Sequence, residues 1–223
     1  MRLVRWLLRY VACLSGLLLF AESVACATPE PSGGVVAANV LYADNFSVVE
    51  RGPWQLEGDD KGRASIIDDF LLLEVNAANT VQYTTLAEHT FSNFSLEVDV
   101  TQLAGGLNST YGVLFRLADP PQFYRYDITG NGEYVLERRD ADGSWTRLSD
   151  GWVPSSALQP GLNVTNRLGV IAVGGTYSLY ANGELVAQLS DGRYGEGSVA
   201  LDAGTFAQAG LQVAFDNLVI GRP

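Results

Sequence analysis

The sequence predicts an all-β domain built as a sandwich or a barrel, and three observations support this prediction. Residues 92–102 (SNFSLEVDVTQ) alternate between polar and apolar side chains without interruption, which is the period of a half-buried strand. Asn-Gly and Asp-Gly pairs separate short apolar runs, as they do in tight hairpins. No window after residue 40 keeps apolar residues at the helical spacing i, i+3, i+4, i+7.

The first 25 residues are typical of a secretory signal peptide. Arg2, Arg5 and Arg9 form a positive n-region, and residues 11–21 are a short apolar run. That run is well below the ~20 residues that a membrane-spanning helix needs. Residues 1–25 are therefore a targeting segment and do not belong to the folded domain.

Two processing routes are open after this leader. A signal peptidase could cut after Ala27, or Cys26 could be lipidated, since residues 23–26 (SVAC) resemble a bacterial lipobox with Ser23 where Leu is usual. Residues 26–38 are rich in Pro and Gly and are predicted to be a flexible tether. The sequence favours lipidation at Cys26 over plain secretion, so the predicted location is the cell surface or periplasm, with contact to a membrane only through the lipid.

Residues 39–222 are predicted to form one domain of about fourteen short strands. The clearest hairpins are those with Gly130-Asn131-Gly132 and Asn182-Gly183 at their turns, because these residues adopt the positive φ angles of tight turns. In order, the predicted strands are residues 40–46, 55–57, 62–67, 70–75, 80–85, 94–101, 111–117, 123–129, 133–138, 144–148, 166–173, 176–181, 184–189, 199–203 and 212–220.

Charge and cysteine content limit the partners of this domain. The chain has a formal net charge of −11 and becomes more negative once the arginine-bearing leader is removed. Such a charge argues against nucleic acid as a partner and is compatible with polysaccharide. Cys13 and Cys26 are the only cysteines, so no disulfide is predicted inside the folded domain.

Four segments carry a family resemblance: residues 42–46 (YADNF), 91–100 (FSNFSLEVDV), 111–125 (YGVLFRLADPPQFYR) and 215–219 (FDNLV). In this order they resemble the concanavalin A-like lectin/glucanase superfamily, and within it the laminin-G-like and 3-keto-disaccharide hydrolase-type domains of bacterial exported proteins. The resemblance implies a two-sheet jelly-roll β-sandwich in which the first and last strands lie side by side. The family label also implies an enzymatic alternative, a glycoside hydrolase or 3-keto-glycoside hydrolase.

One motif resembles a catalytic site. Glu97-x-Asp99-x-x-Gln102 is similar to the Glu-x-Asp-x-x-Glu of family-16 glycoside hydrolases, where the first Glu is the nucleophile and the last is the acid/base. Retaining hydrolysis needs a second carboxyl group that gives up a proton, and the amide of Gln102 has none to give. The sequence favours the alternative that Glu97 and Asp99 form a solvent-facing strand surface, with cross-strand pairs to Arg116 and Arg125.

A ligand-binding face is predicted from the same alternation. If Tyr124 and Tyr126 face the core, their neighbours in the strand face outward with the acidic residues of the motif. Flat aromatic rings nearby would then stack on sugars. The predicted ligand-binding residues are Glu97, Asp99, Arg116, Phe123, Arg125, Asp127, Trp145 and Trp152.

Calcium is the one metal that the sequence suggests, and no other cofactor is predicted. Asp44 and Asp216 would approach each other if the terminal strands pair, and carboxylate oxygens suit this ion. The favoured alternative is that both residues bond to nearby backbone groups at strand ends.

Together these observations predict an exported module, lipid-anchored at Cys26, that binds carbohydrate or serves as an envelope component without catalysis. Two alternatives remain open at the level of sequence. One is a glycoside hydrolase or 3-keto-glycoside hydrolase, and the other is a structural or interaction protein with no small ligand.

Lipidation is testable by metabolic labelling with a palmitate analogue. We expect label on the wild-type protein and none on Cys26→Ser, because the thiol at position 26 would be the site of attachment. An unlabelled wild type, or label that survives Cys26→Ser, would show that Cys26 is not the site of lipidation.

Overall fold

A computed structural model describes residues 39–49 and 52–223 of the chain. The signal peptide, the tether and Cys26 lie outside the described residues, so their predicted roles stay predictions. Within the described residues there are fifteen strands and no helix long or apolar enough to cross a membrane. The strands are β1 (Val40–Asp44), β2 (Gly62–Ile67), β3 (Phe70–Val75), β4 (Val81–Thr85), β5 (Phe94–Ala104), β6 (Thr110–Ala118), β7 (Gln122–Thr129), β8 (Glu133–Arg139), β9 (Trp145–Arg147), β10 (Val153–Pro154), β11 (Thr165–Val173), β12 (Thr176–Ala181), β13 (Glu184–Ser190), β14 (Ser198–Gly204) and β15 (Leu211–Gly221).

These strands form two antiparallel sheets. The eight-stranded sheet has the order β13-β12-β11-β5-β15-β3-β2, and β1 also pairs with β15. The seven-stranded sheet has the order β10-β8-β7-β6-β14-β4, and β9 also pairs with β8. The fold is thus the predicted all-β two-sheet sandwich, with its first and last strands adjacent as the resemblance implied.

The core lies between the two sheets and follows the period of two along the strands. In β5 the side chains of Leu96 and Val98 are completely buried, as the alternation predicts. In β7 the core positions are Tyr124, Tyr126 and Ile128. Each sheet therefore presents one apolar face to the other and keeps a separate outer face.

The structure differs from the predicted strand list at two places. Residues 55–57 do not form a strand, since only a single bridge joins Trp54 to Leu86. Residues 154–161 are predicted to be a loop, but Pro154 belongs to β10, which pairs with the start of β8. Both segments are too short to carry a periodic signal, which explains why the sequence does not distinguish them.

Leu96→Ala tests the position of the core. Because Leu96 is fully buried on the inner face of a central strand, we expect the free energy of unfolding to fall by ~2–5 kcal/mol. The matched control is Leu185→Ala in edge strand β13, where the side chain is 56% exposed and the expected change is within ~0.5 kcal/mol. Equal changes in chemical denaturation of the two variants would contradict this assignment.

Candidate ligand-binding face of the seven-stranded sheet

The outer face of the seven-stranded sheet carries a row of side chains set by strand register. Tyr83 in β4 lies opposite Asp202 in β14, Asp202 lies opposite Gly112 in β6, and Gly112 lies opposite Asp127 in β7. The neighbours of these residues along each strand, such as Leu201 and Tyr126, belong to the core. The row therefore points away from the core, as a period of two requires.

A depression of about 280 Å³ lies on this outer face. Two of its aromatic side chains are well exposed, Trp145 at 47% and Tyr83 at 40%. Two neighbouring depressions also have Tyr83 in their lining. The residues that line the depression are Val81, Tyr83, Leu114, Pro121, Phe123, Arg125, Arg139, Trp145 and Asp202.

Trp145 is held in place from two sides. The Phe123 ring meets it edge-on, with the ring centroids 5.7 Å apart at an interplanar angle of 77°. The Arg125 guanidinium carbon lies 4.7 Å from the centroid of the Trp145 ring, within cation–π range. Phe123 is itself anchored in a small cluster with Leu114 and Ala200, so Trp145 is exposed and yet packed.

Arg125 and its neighbours form a charge network beside these rings. Nη2 of Arg125 donates to Oε2 of Glu137 at 2.5 Å, and its Nε lies 3.5 Å from Oδ2 of Asp127. Arg147 reaches the other oxygen of Glu137 at 3.2 Å. Burial of Arg125 opposes its charge, but the carboxylates of Asp127, Asp202 and Glu137 outweigh burial and raise the pKa of Arg125.

Asp127 and Asp202, which we call the carboxyl pair, lie beneath this network. Neither residue is exposed to solvent, and among the described residues only the Thr110 hydroxyl interacts with Asp127 as a neutral donor, without full hydrogen-bond geometry. Burial raises the pKa of both, and the charge of Asp127 raises that of Asp202 further. A proton shared between the two groups would relieve the repulsion between them.

Four of the predicted ligand-binding residues come together on this face: Phe123, Arg125, Asp127 and Trp145. Phe123, Arg125 and Trp145 line the depression, and Asp127 lies below it as a member of the carboxyl pair. Trp152 is half-buried in the connection before β10 and does not line the depression.

The prediction that Arg116 faces outward was wrong. Its backbone has a φ of 53°, and the pairing of β6 with both of its neighbours is irregular at this point. The side chain consequently turns inward and is only 1% exposed. Its guanidinium donates to the hydroxyl of Tyr177 at 2.7 Å and to three backbone carbonyls, those of Ser92, Gly174 and Tyr194.

Glu97 and Asp99 lie on the outer face of the other sheet. Both pair with Arg167 of β11 at 3.1 Å, so the predicted partners Arg116 and Arg125 were wrong. Asp99 also accepts a hydrogen bond from Asn217, and Glu97 is only 4% exposed. These two residues therefore do not share a surface with Trp145.

Gln102 does not lie beside Glu97 and Asp99. The pairing of β5 with β15 is regular from Asp99 to Gln102, so Gln102 falls on the opposite face. Its side chain is fully buried, and its amide donates to the carbonyl of Gly106 at 2.9 Å. The three residues thus do not form the constellation of the hydrolase motif that they resemble.

Asp44 and Asp216 make the local bonds that the sequence offered as the alternative to calcium. Asp44 accepts from the backbone N–H of Phe46 at 2.7 Å and from the indole N–H of Trp54 at 2.9 Å. Asp216 accepts from the backbone N–H of Asn217 at 2.7 Å. Among residues 39–49 and 52–223, no group of three or more His, Cys, Asp or Glu is arranged to hold a metal ion.

Sequence reasoning missed Tyr83, Glu137, Arg139 and Asp202. Only Asp202 carries a signal in the sequence, since it is an acid flanked by apolar residues in the predicted strand 199–203. An acid in this position indicates a strand that is covered on both of its faces. Tyr83 and Glu137 lie in strands that were predicted, and Arg139 lies one residue beyond the predicted strand 133–138. The Gly130-Asn131-Gly132 hairpin predicts that β8 pairs with β7, but nothing in the sequence shows that β4 and β14 join the same sheet.

No protein-family model and no curated protein sequence matches the chain. Among solved structures, the carbohydrate-binding module CBM66 from Bacillus subtilis has a TM-score of 0.62 at 16% identity, covering 76% of this chain and 96% of that one. A Bacillus subtilis protein of unknown function with a galectin-like fold has a TM-score of 0.61 at 14% identity, covering 82% and 96%. A Bacillus licheniformis β-glucanase has a TM-score of 0.59 at 10% identity, covering 82% and 97%. At such identities the likeness shows a shared jelly-roll fold.

Asp202→Asn tests whether the carboxyl pair holds a proton in the folded protein. The pKa of Asp202 is raised above the unfolded value of ~4, so the stability linked to its proton is full below about pH 4 and is lost as the pH rises through the folded pKa. The introduced amide stays neutral. We therefore expect the free energy of unfolding of Asp202→Asn, relative to wild type, to increase as the pH is raised from about 4 to 8.

The control for this titration is Asp140→Asn. A hydrogen bond from Tyr194 and the charge of Arg138 lower the pKa of Asp140, so its contribution changes only below about pH 4. The difference in the free energy of unfolding between Asp140→Asn and wild type should stay constant from about pH 5 to 8. Parallel pH profiles for wild type and Asp202→Asn would show that no proton is held between Asp127 and Asp202.

Proposed function

We propose that this protein is a non-catalytic carbohydrate-binding module whose site is the outer face of the seven-stranded sheet. The observation that carries the proposal is Trp145, an exposed ring that is immobilised at the edge of an open depression. Sugar rings have apolar faces that stack on flat aromatic surfaces. The polar side chains around the ring, such as Arg125 and Arg139, would orient the sugar hydroxyls.

The packing of Trp145 suits this role because its side chain is already held in one position before a sugar binds. Phe123 and Arg125 already fix the indole ring, so the loss of side-chain entropy on binding is small. The shape of the surface also suits a polymer, since two further depressions adjoin Tyr83. A chain of sugars could thus contact Trp145 and Tyr83 together.

The solved structures of similar fold support this proposal. Their names include a carbohydrate-binding module, a β-glucanase and a putative glycosyl hydrolase from Parabacteroides distasonis, the last with a TM-score of 0.53 at 15% identity. Their shared jelly roll is a scaffold on which binding and hydrolysis of glycans both occur, so the choice between the two rests on the residues of this chain.

The arrangement of carboxyl groups favours binding without hydrolysis. Retaining hydrolysis uses two carboxyl groups about 5–5.5 Å apart on either side of the scissile bond. Asp127 and Asp202 are both sealed from solvent, so no sugar reaches between them. Glu97 and Asp99 both pair with Arg167, and Gln102 lies on the other face of their strand. In the same proposal the leader exports the protein and Cys26 anchors it to a membrane.

Trp145→Ala tests this function by affinity electrophoresis in gels containing soluble polysaccharide, with mixed-linkage β-glucan, xylan and polygalacturonate as probes. We expect at least one polymer to retard the wild-type protein and Trp145→Ala to weaken that retardation about three- to tenfold, because a stacking surface is lost. Trp152→Ala is the matched control, since Trp152 does not line the depression. Equal retardation of all three proteins would place binding elsewhere, and none in any gel would favour a structural role without a glycan.

A further inference from the structure

Arg139 is an arginine of the candidate site with no acidic partner. None of the ion pairs within residues 39–49 and 52–223 includes Arg139, whereas Arg125 and Arg147 share Glu137. The Arg139 guanidinium donates to the carbonyl of Pro121 and lies 6.0 Å from the centroid of the Phe123 ring. One carbonyl uses only part of its five N–H donors, and the side chain lines the depression.

The charge around the depression is opposite in sign to that of the chain. The charged residues that line the depression are two arginines, Arg125 and Arg139, and one acid, Asp202. The balance is positive in a chain whose formal net charge is −11. A local positive balance on an acidic protein attracts an anion to that place and to few others.

From these observations we infer that the ligand is an acidic saccharide and that Arg139 binds its carboxylate or sulfate group. This inference rests on the proposed carbohydrate-binding function. Arg139 lies directly opposite Trp145 in the pairing of β8 with β9, and side chains in such pairs are immediate neighbours. A sugar stacked on Trp145 therefore has its substituents beside the guanidinium, whose planar fork of donors matches the oxygens of a carboxylate or sulfate.

Matched polymers separate charge from shape. Polygalacturonate is compared with the same polymer after reduction of its carboxylates to alcohols, and dextran sulfate is compared with dextran. We expect wild-type protein to bind an acidic polymer at least tenfold more tightly than its neutral counterpart, and the difference to shrink with added salt because the attraction is screened. A preference in the first comparison identifies a carboxylate as the bound group, and one in the second identifies a sulfate.

Arg139→Gln should weaken binding of the acidic polymer at least tenfold and binding of the neutral polymer much less, because the Gln amide still donates hydrogen bonds but carries no charge. Arg139→Lys should restore part of the affinity, since it keeps the charge without the planar fork. Arg222→Gln is the charge-matched control, because Arg222 is exposed after the end of β15 on the other sheet. Thermal denaturation of each variant verifies that it is folded at the assay temperature.

The outcomes distinguish a failure of this inference from a failure of the proposed carbohydrate-binding function. If neutral and acidic polymers bind equally and Trp145→Ala weakens both, the saccharide is neutral and only the inference fails. If Arg222→Gln weakens binding as much as Arg139→Gln, the effect is one of overall charge, and Arg139 is not the anion-binding residue. If no polymer binds, both the inference and the proposed function fail.

Discussion

The register of three neighbouring strands is the constraint on which the candidate site depends. In β14, β6 and β7 every second residue faces the core, and the pairing places Asp202, Gly112 and Asp127 in one line on the opposite side. A shift of one residue in β14 or β7 would send an acid into the core and a Leu or Tyr to the surface. The two buried carboxyl groups are therefore tied to the same packing that builds the sandwich.

The sequence was sufficient for the fold and for half of the predicted site. Alternation and turn residues predicted almost every strand, and they correctly grouped Phe123, Arg125 and Asp127 on one face because that grouping depends on a single strand. Glu97 and Asp99 were grouped with them incorrectly, because a local pattern does not reveal which of two sheets a strand joins. That information lies in long-range pairing, which one sequence does not display.

Arg116 shows a second limit of sequence reasoning. Alternation carried through residue 116 would put its side chain outside, but one residue with positive φ ends the alternation locally. A non-glycine residue in that conformation is disfavoured, and the four hydrogen bonds of its guanidinium compensate. These bonds join the connections that carry Ser92, Gly174 and Tyr194. The buried guanidinium of Arg116 thus holds these connections together at one end of the sandwich through hydrogen bonds, and no carboxylate of the described residues pairs with it.

Gly112 limits which positions of this surface tolerate substitution. A Cβ at this position would lie 2.9 Å from Oδ1 of Asp127 and would also collide with the carbonyl of Tyr126. The centre of the surface is thereby closed to substitution at this position, whereas Tyr83 and Trp145 stand at its rim with 40% and 47% of their surface exposed. Descendants of this protein could acquire different sugar preferences by changing the rim while the strands beneath stay the same.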